Sequence, residues 1–154
     1  MTVSNIMQRD IKCCGLSDTI QACAKTMAQN KIGFLPVVGA SGELVGTITD
    51  RDIVLRAVAT GKGPDCKVQD VYSDNPVHVT EDSDISEAEE LMAEGHIRRL
   101  VVLNGQLKPV GVISLSDIVR NEKDSKRLHE SLIRIMEKTS AERTVEEVPV
   151  EVRG

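Results

Sequence analysis

Apolar residues recur along this chain in two rhythms. Behind Asp18-Thr19, positions Ile20, Cys23, Ala24 and Met27 follow spacings of three and four, which predicts an amphipathic helix with a capped start. The rhythm returns at Ile85, Ala88, Leu91 and Met92, behind Asp82-Ser83-Asp84 and with Glu87 in the first turn. Each helical pattern leads into a short apolar run, FLPVV or LVVL, and then a second, LVGTIT or PVGVIS. Such runs read as strands. The breaks between them are Gly39-Ala40-Ser41-Gly42 and Asn104-Gly105, the second a strong hairpin signal. A second helix is expected to begin at Asp52 or Asp117 and to run through Ile53-Val54-Leu55 or Ile118-Val119. Each half of the chain therefore reads strand–helix–strand–strand–helix, an α+β arrangement.

The two halves are copies at an offset of 65 residues. Val3 matches Val68, Ile20 matches Ile85, and Met27-Ala28 matches Met92-Ala93. Ile32, Leu35 and Val37 match Ile97, Leu100 and Val102, and Asp52-Ile53-Val54 matches Asp117-Ile118-Val119. Most matched positions are apolar, as expected if both copies bury the same faces. Two copies point to a pseudo-twofold pair, since a solenoid needs at least about three repeats. The expected boundaries are repeat 1 over 1–61, a Gly- and Pro-containing linker over 62–67, repeat 2 over 68–121, and a C-terminal segment over 122–154. In that last segment Leu128, Leu132, Ile135 and Met136 share a helical face. It is expected to pack on its own domain or on a dimer mate. The final TVEEVPVEVRG alternates Val and Glu and reads as an edge strand or extended arm.

Composition narrows the picture. The chain has 154 residues, 40% hydrophobic, with no Trp, one Phe and one Tyr, so its core must be aliphatic. A formal charge of −5 argues against nucleic acid as a partner. No apolar run approaches the ~20 residues that span a bilayer, and MTVSNIMQRD lacks the features of a signal peptide. A cytoplasmic protein is expected. Cys13, Cys14, Cys23 and Cys66 form no CxxC pair, so buried or inert thiols are favoured over metal or redox chemistry. His78, near the position equivalent to Cys13, is what keeps a metal in view.

The chemistry concentrates where each second strand meets its helix, in GTITDRDIV and GVISLSDIV. A hydroxyl (Thr49 or Ser114) stands three residues before an aspartate (Asp52 or Asp117). The hydroxyl and the start of a helix favour a phosphate. The aspartate would repel one, and its natural partner is a pair of vicinal hydroxyls, as on a ribose. Together they suit a nucleoside phosphate. For one copy alone, plain helix capping is the favoured explanation. Two copies with cations nearby (Arg51 in the first motif, Arg98-Arg99 before LVVL) move the balance to binding. On this reading Asp117→Ala should weaken binding and leave the fold intact.

The 65-residue unit resembles the CBS domain, named from cystathionine β-synthase, and the chain resembles a tandem CBS pair, or Bateman module. HIRRLVVLNGQLKPVGVISLSDIV is similar to a CBS repeat of the AMP-activated protein kinase γ subunit. IGFLPVVGASGELVGTITDRDIV resembles stand-alone bacterial CBS pairs and the CBS insert of IMP dehydrogenase. The resemblance covers roughly residues 3 to 121, and both copies keep the family's Gly, apolar, any, Thr/Ser, any, any, Asp motif. It implies two repeats packed through their sheets with pseudo-twofold symmetry, enclosing two adenosyl-binding clefts. One cleft would use Val112, Ser114 and Asp117 with Ile11, Lys12, Ile32 and Gly33. The other would use Thr47, Thr49, Arg51 and Asp52 with Pro76, Val77, Ile97 and Arg98. A disc-like homodimer would bring Arg98 and Arg99 near phosphates. Gly33-Phe34 stands where the second copy has Arg98-Arg99, so the clefts are expected to bind unequally.

The leading reading is a regulatory module that senses an adenine nucleotide (AMP, ADP or ATP), with no catalytic cofactor and with a separate protein partner. The alternative is a scaffold using S-adenosylmethionine, NAD, coenzyme A or a metal. An enzyme is disfavoured, because no nucleophile–base pair, P-loop or metal-triad spacing is visible.

Overall fold

A computed structural model of the chain describes residues 1–141. The alternating Val-Glu arm lies outside the described residues. Two compact units are present. Among the described residues, the first-repeat unit comprises Ile11–Pro76 with Leu107–Pro109, and the second-repeat unit comprises Met1–Asp10, Val77–Gln106 and 110–141. The architecture is α+β, with a sheet in each unit.

In the first-repeat unit the sheet has the order β1 (Cys14–Gly15), β2 (Phe34–Val38), β3 (Leu44–Thr49), β4 (Ser73–Asp74). β1 lies parallel to β2, while β2–β3 and β3–β4 are antiparallel. Helix α1 (Ile20–Asn30) starts where Thr19 accepts a hydrogen bond from the Ala22 N–H and stops at Lys31, which is left-handed at φ 54°. After β3 comes α2, a single turn over Asp50–Asp52, which continues as a π-helix over Ile53–Ala57 and a 3-10 turn over Val58–Thr60.

The second-repeat unit repeats this order with β5 (His78–Thr80), α3 (Ile85–Gly95), β6 (Arg99–Leu103), β7 (Pro109–Ser114) and α4 (Leu115–Asn121). β5 is parallel to β6, and β7 lies on the other side of β6. Asp84 caps α3 and His96 ends it with φ 50°. The Asp84 carboxyl is held down to about 2, chiefly because the Ser86 hydroxyl and N–H donate to it. The β6–β7 connection differs from the expected two-residue Asn-Gly turn. It runs over Asn104–Lys108, with the Gln106 N–H donating to Asn104 Oδ1, and Leu107 takes the left-handed position at φ 61°. The second helices also begin two residues earlier than expected, at Asp50 and Leu115, because Thr49 and Ser114 are their caps.

Each core is aliphatic, and the two correspond residue for residue. Val68, Cys14, Ile20, Cys23, Met27, Leu35, Val37 and Ile48 fill the first. Their equivalents Val3, Val79, Ile85, Ala88, Met92, Leu100, Val102 and Ile113 fill the second. The N-terminal segments are exchanged, however. Val3 packs with the second repeat's strands and Val68 with the first repeat's. The same exchange brings Gln8 into antiparallel pairing with Val112, as Ser73 pairs with Thr47.

This close pairing explains a matched pair of glycines. A Cβ on Gly46 would run into the Ser73 carbonyl and the Tyr72 ring. A Cβ on Gly111 would lie 2.7 Å from Met7 Sδ and 3.0 Å from the Gln8 carbonyl.

Helix α5 (Ser125–Ala141) packs on α3 within the second-repeat unit. Ile135 is fully buried and joins that core, a burial worth about 1.5–3 kcal/mol. Arg127 donates to the buried Glu89 at 2.7 Å, and Arg134 donates to both oxygens of Glu90 at 2.8 and 3.1 Å. Glu90 is held below its ordinary range by these bonds. The first repeat has Ala24 and Lys25 at the positions of Glu89 and Glu90, so it offers no acidic grip for this helix. Among the described residues no helix is long and apolar enough to cross a membrane.

Gly46→Ala should lower unfolding stability by about 1–3 kcal/mol, the range for overpacking, because the obstructing atoms are backbone and ring rather than a flexible chain end. Urea denaturation followed by circular dichroism checks this, and an unchanged midpoint would show that β4 yields freely.

Candidate functional site

The site in the second-repeat unit is built on the junction of β7 and α4. Ser114 keeps extended backbone angles (φ −113°, ψ 158°) while the next residue is helical. The Asp117 N–H donates to Ser114 Oγ at 3.2 Å. In return the Ser114 N–H and hydroxyl donate to Asp117 Oδ2 at 2.9 and 2.6 Å. This is a complete capping box. Asp117 is buried, at 6% exposure. Its other oxygen, Oδ1, accepts from Gln8 Nε2 at 3.2 Å and lies 4.0 Å from the Arg120 guanidinium.

The bland capping explanation is therefore correct as far as it goes. Asp117 serves the fold, which corrects the expectation that its loss would leave the fold untouched. Its second oxygen is held more loosely. Gln8 Nε2 approaches Oδ1 at 3.2 Å and also reaches the capping oxygen Oδ2 at 3.4 Å, and the exposed Arg120 stands 4.0 Å from Oδ1, all long for charge-assisted hydrogen bonds.

Beside this junction the Leu115 N–H donates to the Arg98 carbonyl at 2.9 Å, tying the start of α4 to the start of β6. A cavity of about 270 Å³ opens here, lined by Arg98, Arg99, Ser114, Leu115, Ser116 and Met136. Both arginines are exposed. The structure thus brings Arg98 and Arg99 together with Ser114, the hydroxyl of their own repeat. Val112 lies one turn of strand earlier, half-buried and paired with Gln8.

The first-repeat unit holds a second box of the same kind. The Thr49 N–H donates to Asp52 Oδ2 at 2.9 Å, and the Asp52 N–H donates to Thr49 Oγ1 at 3.1 Å. Here Arg56 Nε lies 3.6 Å from Asp52 Oδ1, and Arg56 also donates to the Tyr72 carbonyl at 3.2 Å. The Asp50 N–H donates to the Gly33 carbonyl at 3.0 Å, as Leu115 does to Arg98. The side chains around it are different. A Cβ on Gly33 would stand 2.6 Å from an Asp50 carboxylate oxygen. A carboxylate thus occupies the side where the second repeat carries arginines, and the two junctions differ in charge, with the arginines beside Ser114 and not beside Thr49 as the cleft pairing implied. Arg51 is exposed next to Asp50.

Of the other residues singled out from the sequence, Ile11, Lys12, Ile32, Gly33, Thr47 and Pro76 belong to the first-repeat unit, and Val77 and Ile97 to the second-repeat unit. Three residues escaped the sequence reading. Gln8 and Met136 come from segments far from the motif. Arg56 stands one helical turn beyond Asp52 and was open to detection as an i, i+4 charge pair.

The four cysteines are free thiols. Cys14 and Cys23 are buried core residues, and hydrogen bonding to Cys23, reinforced by burial, pushes the Cys14 thiol up. Among the described residues no three His, Cys, Asp or Glu side chains converge to hold a metal ion.

The chain is similar to several known proteins. YlbB of Bacillus subtilis is 35% identical over 136 residues, 88% of this chain and 91% of that protein. Hypoxic Response Protein I, solved with two coordinated zinc ions, shares 31% identity at a TM-score of 0.73 and covers 79% of this chain and 99% of its own. A protein of nearly the same name, Hypoxic response protein 1, is known from Mycobacterium tuberculosis. The CBS domain pair of protein MJ0100, solved with 5′-methylthioadenosine and S-adenosyl-L-methionine, shares 25% identity at a TM-score of 0.71, over 78% of this chain and 94% of that one. The CBS domain profile matches residues 3–58 and again 68–124, so the chain belongs to the CBS domain family and carries two CBS domains.

Proposed function

We propose that this protein is a non-catalytic regulatory module that senses an adenine nucleotide (AMP, ADP or ATP). The observation that carries the reading is the junction at Ser114. A carboxylate with one loosely held oxygen stands beside a cavity lined by two arginines and two serines. Ribose hydroxyls would take Asp117 Oδ1, and phosphate would take Arg98 and Arg99, whose planar guanidinium groups bind phosphate oxygens in pairs. The Thr49 junction, with Asp50 on its border, would bind the same ligand more weakly or remain empty. The MJ0100 pair, with its two adenosyl ligands, lends support to an adenosyl compound in general. S-adenosylmethionine therefore remains the second candidate, because its ribose suits Asp117 even though it has no phosphate for the arginines.

A homodimer is part of this proposal. In the first-repeat unit Ala24, Met27, Ala28, Ile32, Ile53 and Val54, with Asp50 as the one carboxylate among them, line a shallow open face of about 260 Å³. Val54 is 54% exposed and Ile32 37%. We place a second copy on it, a separate protein partner downstream, and the molecule in the cytoplasm, where four free thiols persist. Val54→Arg should then yield a monomer in sedimentation velocity with unchanged circular dichroism. A dimer that persists through this change would place the contact elsewhere.

Titration calorimetry with AMP, ADP, ATP, NAD and S-adenosylmethionine tests the ligand. Asp117→Ala should weaken nucleotide binding at least about tenfold, since a hydrogen bond between an ionised group and a ligand contributes about 1.5–3 kcal/mol. It should also lower stability by about 0.5–2 kcal/mol through loss of the cap. A loss of stability with affinity unchanged would reduce the motif to capping alone.

A further inference from the structure

We propose that Met136 on α5 is a specificity residue that sets how long a phosphate chain the Ser114 site accepts. The inference rests on the nucleotide reading above and adds to it a preference for one phosphate over three.

The cavity at Arg98, Arg99 and Ser114 measures about 270 Å³, just below the ~300–1,000 Å³ of pockets that enclose a whole small-molecule ligand. It therefore takes only the anionic end of a nucleotide. Its lining is of two kinds. Arg98, Arg99, Ser114 and Ser116 offer donors, whereas Leu115 and Met136 offer none. A first phosphate can satisfy its oxygens on the donors. Each further phosphate must be placed against the thioether and the leucine, and a charged group that loses water without gaining hydrogen bonds is strongly disfavoured.

Met136 is not a casual neighbour of this cavity. The residue before it, Ile135, is fully buried in the core of the unit. Arg134 is paired with Glu90 and Arg127 with Glu89. The backbone of α5 is thus fixed up to the residue before the methionine, whose own exposed side chain is the part free to give way. Among the described residues the first repeat has no such wall. Its α1 carries Ala24 and Lys25 where α3 has the two glutamates that hold α5, so the restriction belongs to one site.

The test is calorimetry of AMP and ATP on the full chain and on Met136→Ala. Met136 is 54% exposed, so its truncation should leave the fold intact, as circular dichroism would verify. The expected result is that ATP affinity, relative to AMP, rises on the order of tenfold in the variant, the discrimination typical of filling or emptying a small apolar volume. Binding of both nucleotides with an unchanged AMP-to-ATP ratio would overturn the role of Met136 and leave the nucleotide reading standing. No binding of either nucleotide to either protein would overturn both.

Discussion

The reciprocal cap at the end of each repeat's last strand is the interaction on which the rest depends. A strand cannot pass directly into a helix without leaving the first helical N–H groups unbonded. Ser114 and Asp117 resolve this by exchanging hydrogen bonds across the turn, and Thr49 and Asp52 do the same. The exchange fixes the carboxylate at one oxygen and leaves the other to the more distant Gln8 and Arg120. A structural necessity thereby supplies a preorganised acceptor. The same turn sets the hydroxyl beside Arg98 and Arg99, because the Leu115 N–H is bound to the Arg98 carbonyl.

Duplication kept this junction twice while its surroundings diverged. The backbone bond from Asp50 to Gly33 matches that from Leu115 to Arg98. The side chains on it reverse the local charge. At Gly33 a Cβ would meet the Asp50 carboxylate, a flexible chain end that would have to swing aside. The divergence extends to the helices. The second repeat acquired Glu89 and Glu90, and with them a stable place for α5. Among the described residues, one repeat is thus packed by its own C-terminal helix, and the other presents a largely aliphatic face.

The architecture was legible in the sequence because both copies bury the same aliphatic positions at one offset, from Ile20 and Ile85 to Ile48 and Ile113. Other features left no such mark. The exchange of Val3 and Val68 between cores is invisible to a repeat alignment, which matches the two valines to each other and is silent on the strands they join. Gln8 reaches Asp117 only through that exchange. The turn after β6 misled for a different reason. Asn104 uses its side chain to accept from Gln106, which moves the left-handed position to Leu107. The π-helix over Ile53–Ala57 follows the same apolar pattern as the regular α4, so periodicity alone could not separate them. The chemistry of the motif was legible as two alternatives, capping and binding. The structure shows the cap formed.

The central claim is that Asp117 does both jobs at once, and nuclear magnetic resonance with AMP tests it most directly. Titration into ¹⁵N-labelled protein should shift the Gln8 side-chain amide, as ribose hydroxyls take its place on Oδ1. The Ser114 and Asp117 amides should remain hydrogen-bonded and protected from exchange. A Gln8 amide unmoved at saturating AMP would contradict the account, as would loss of protection at Ser114 and Asp117.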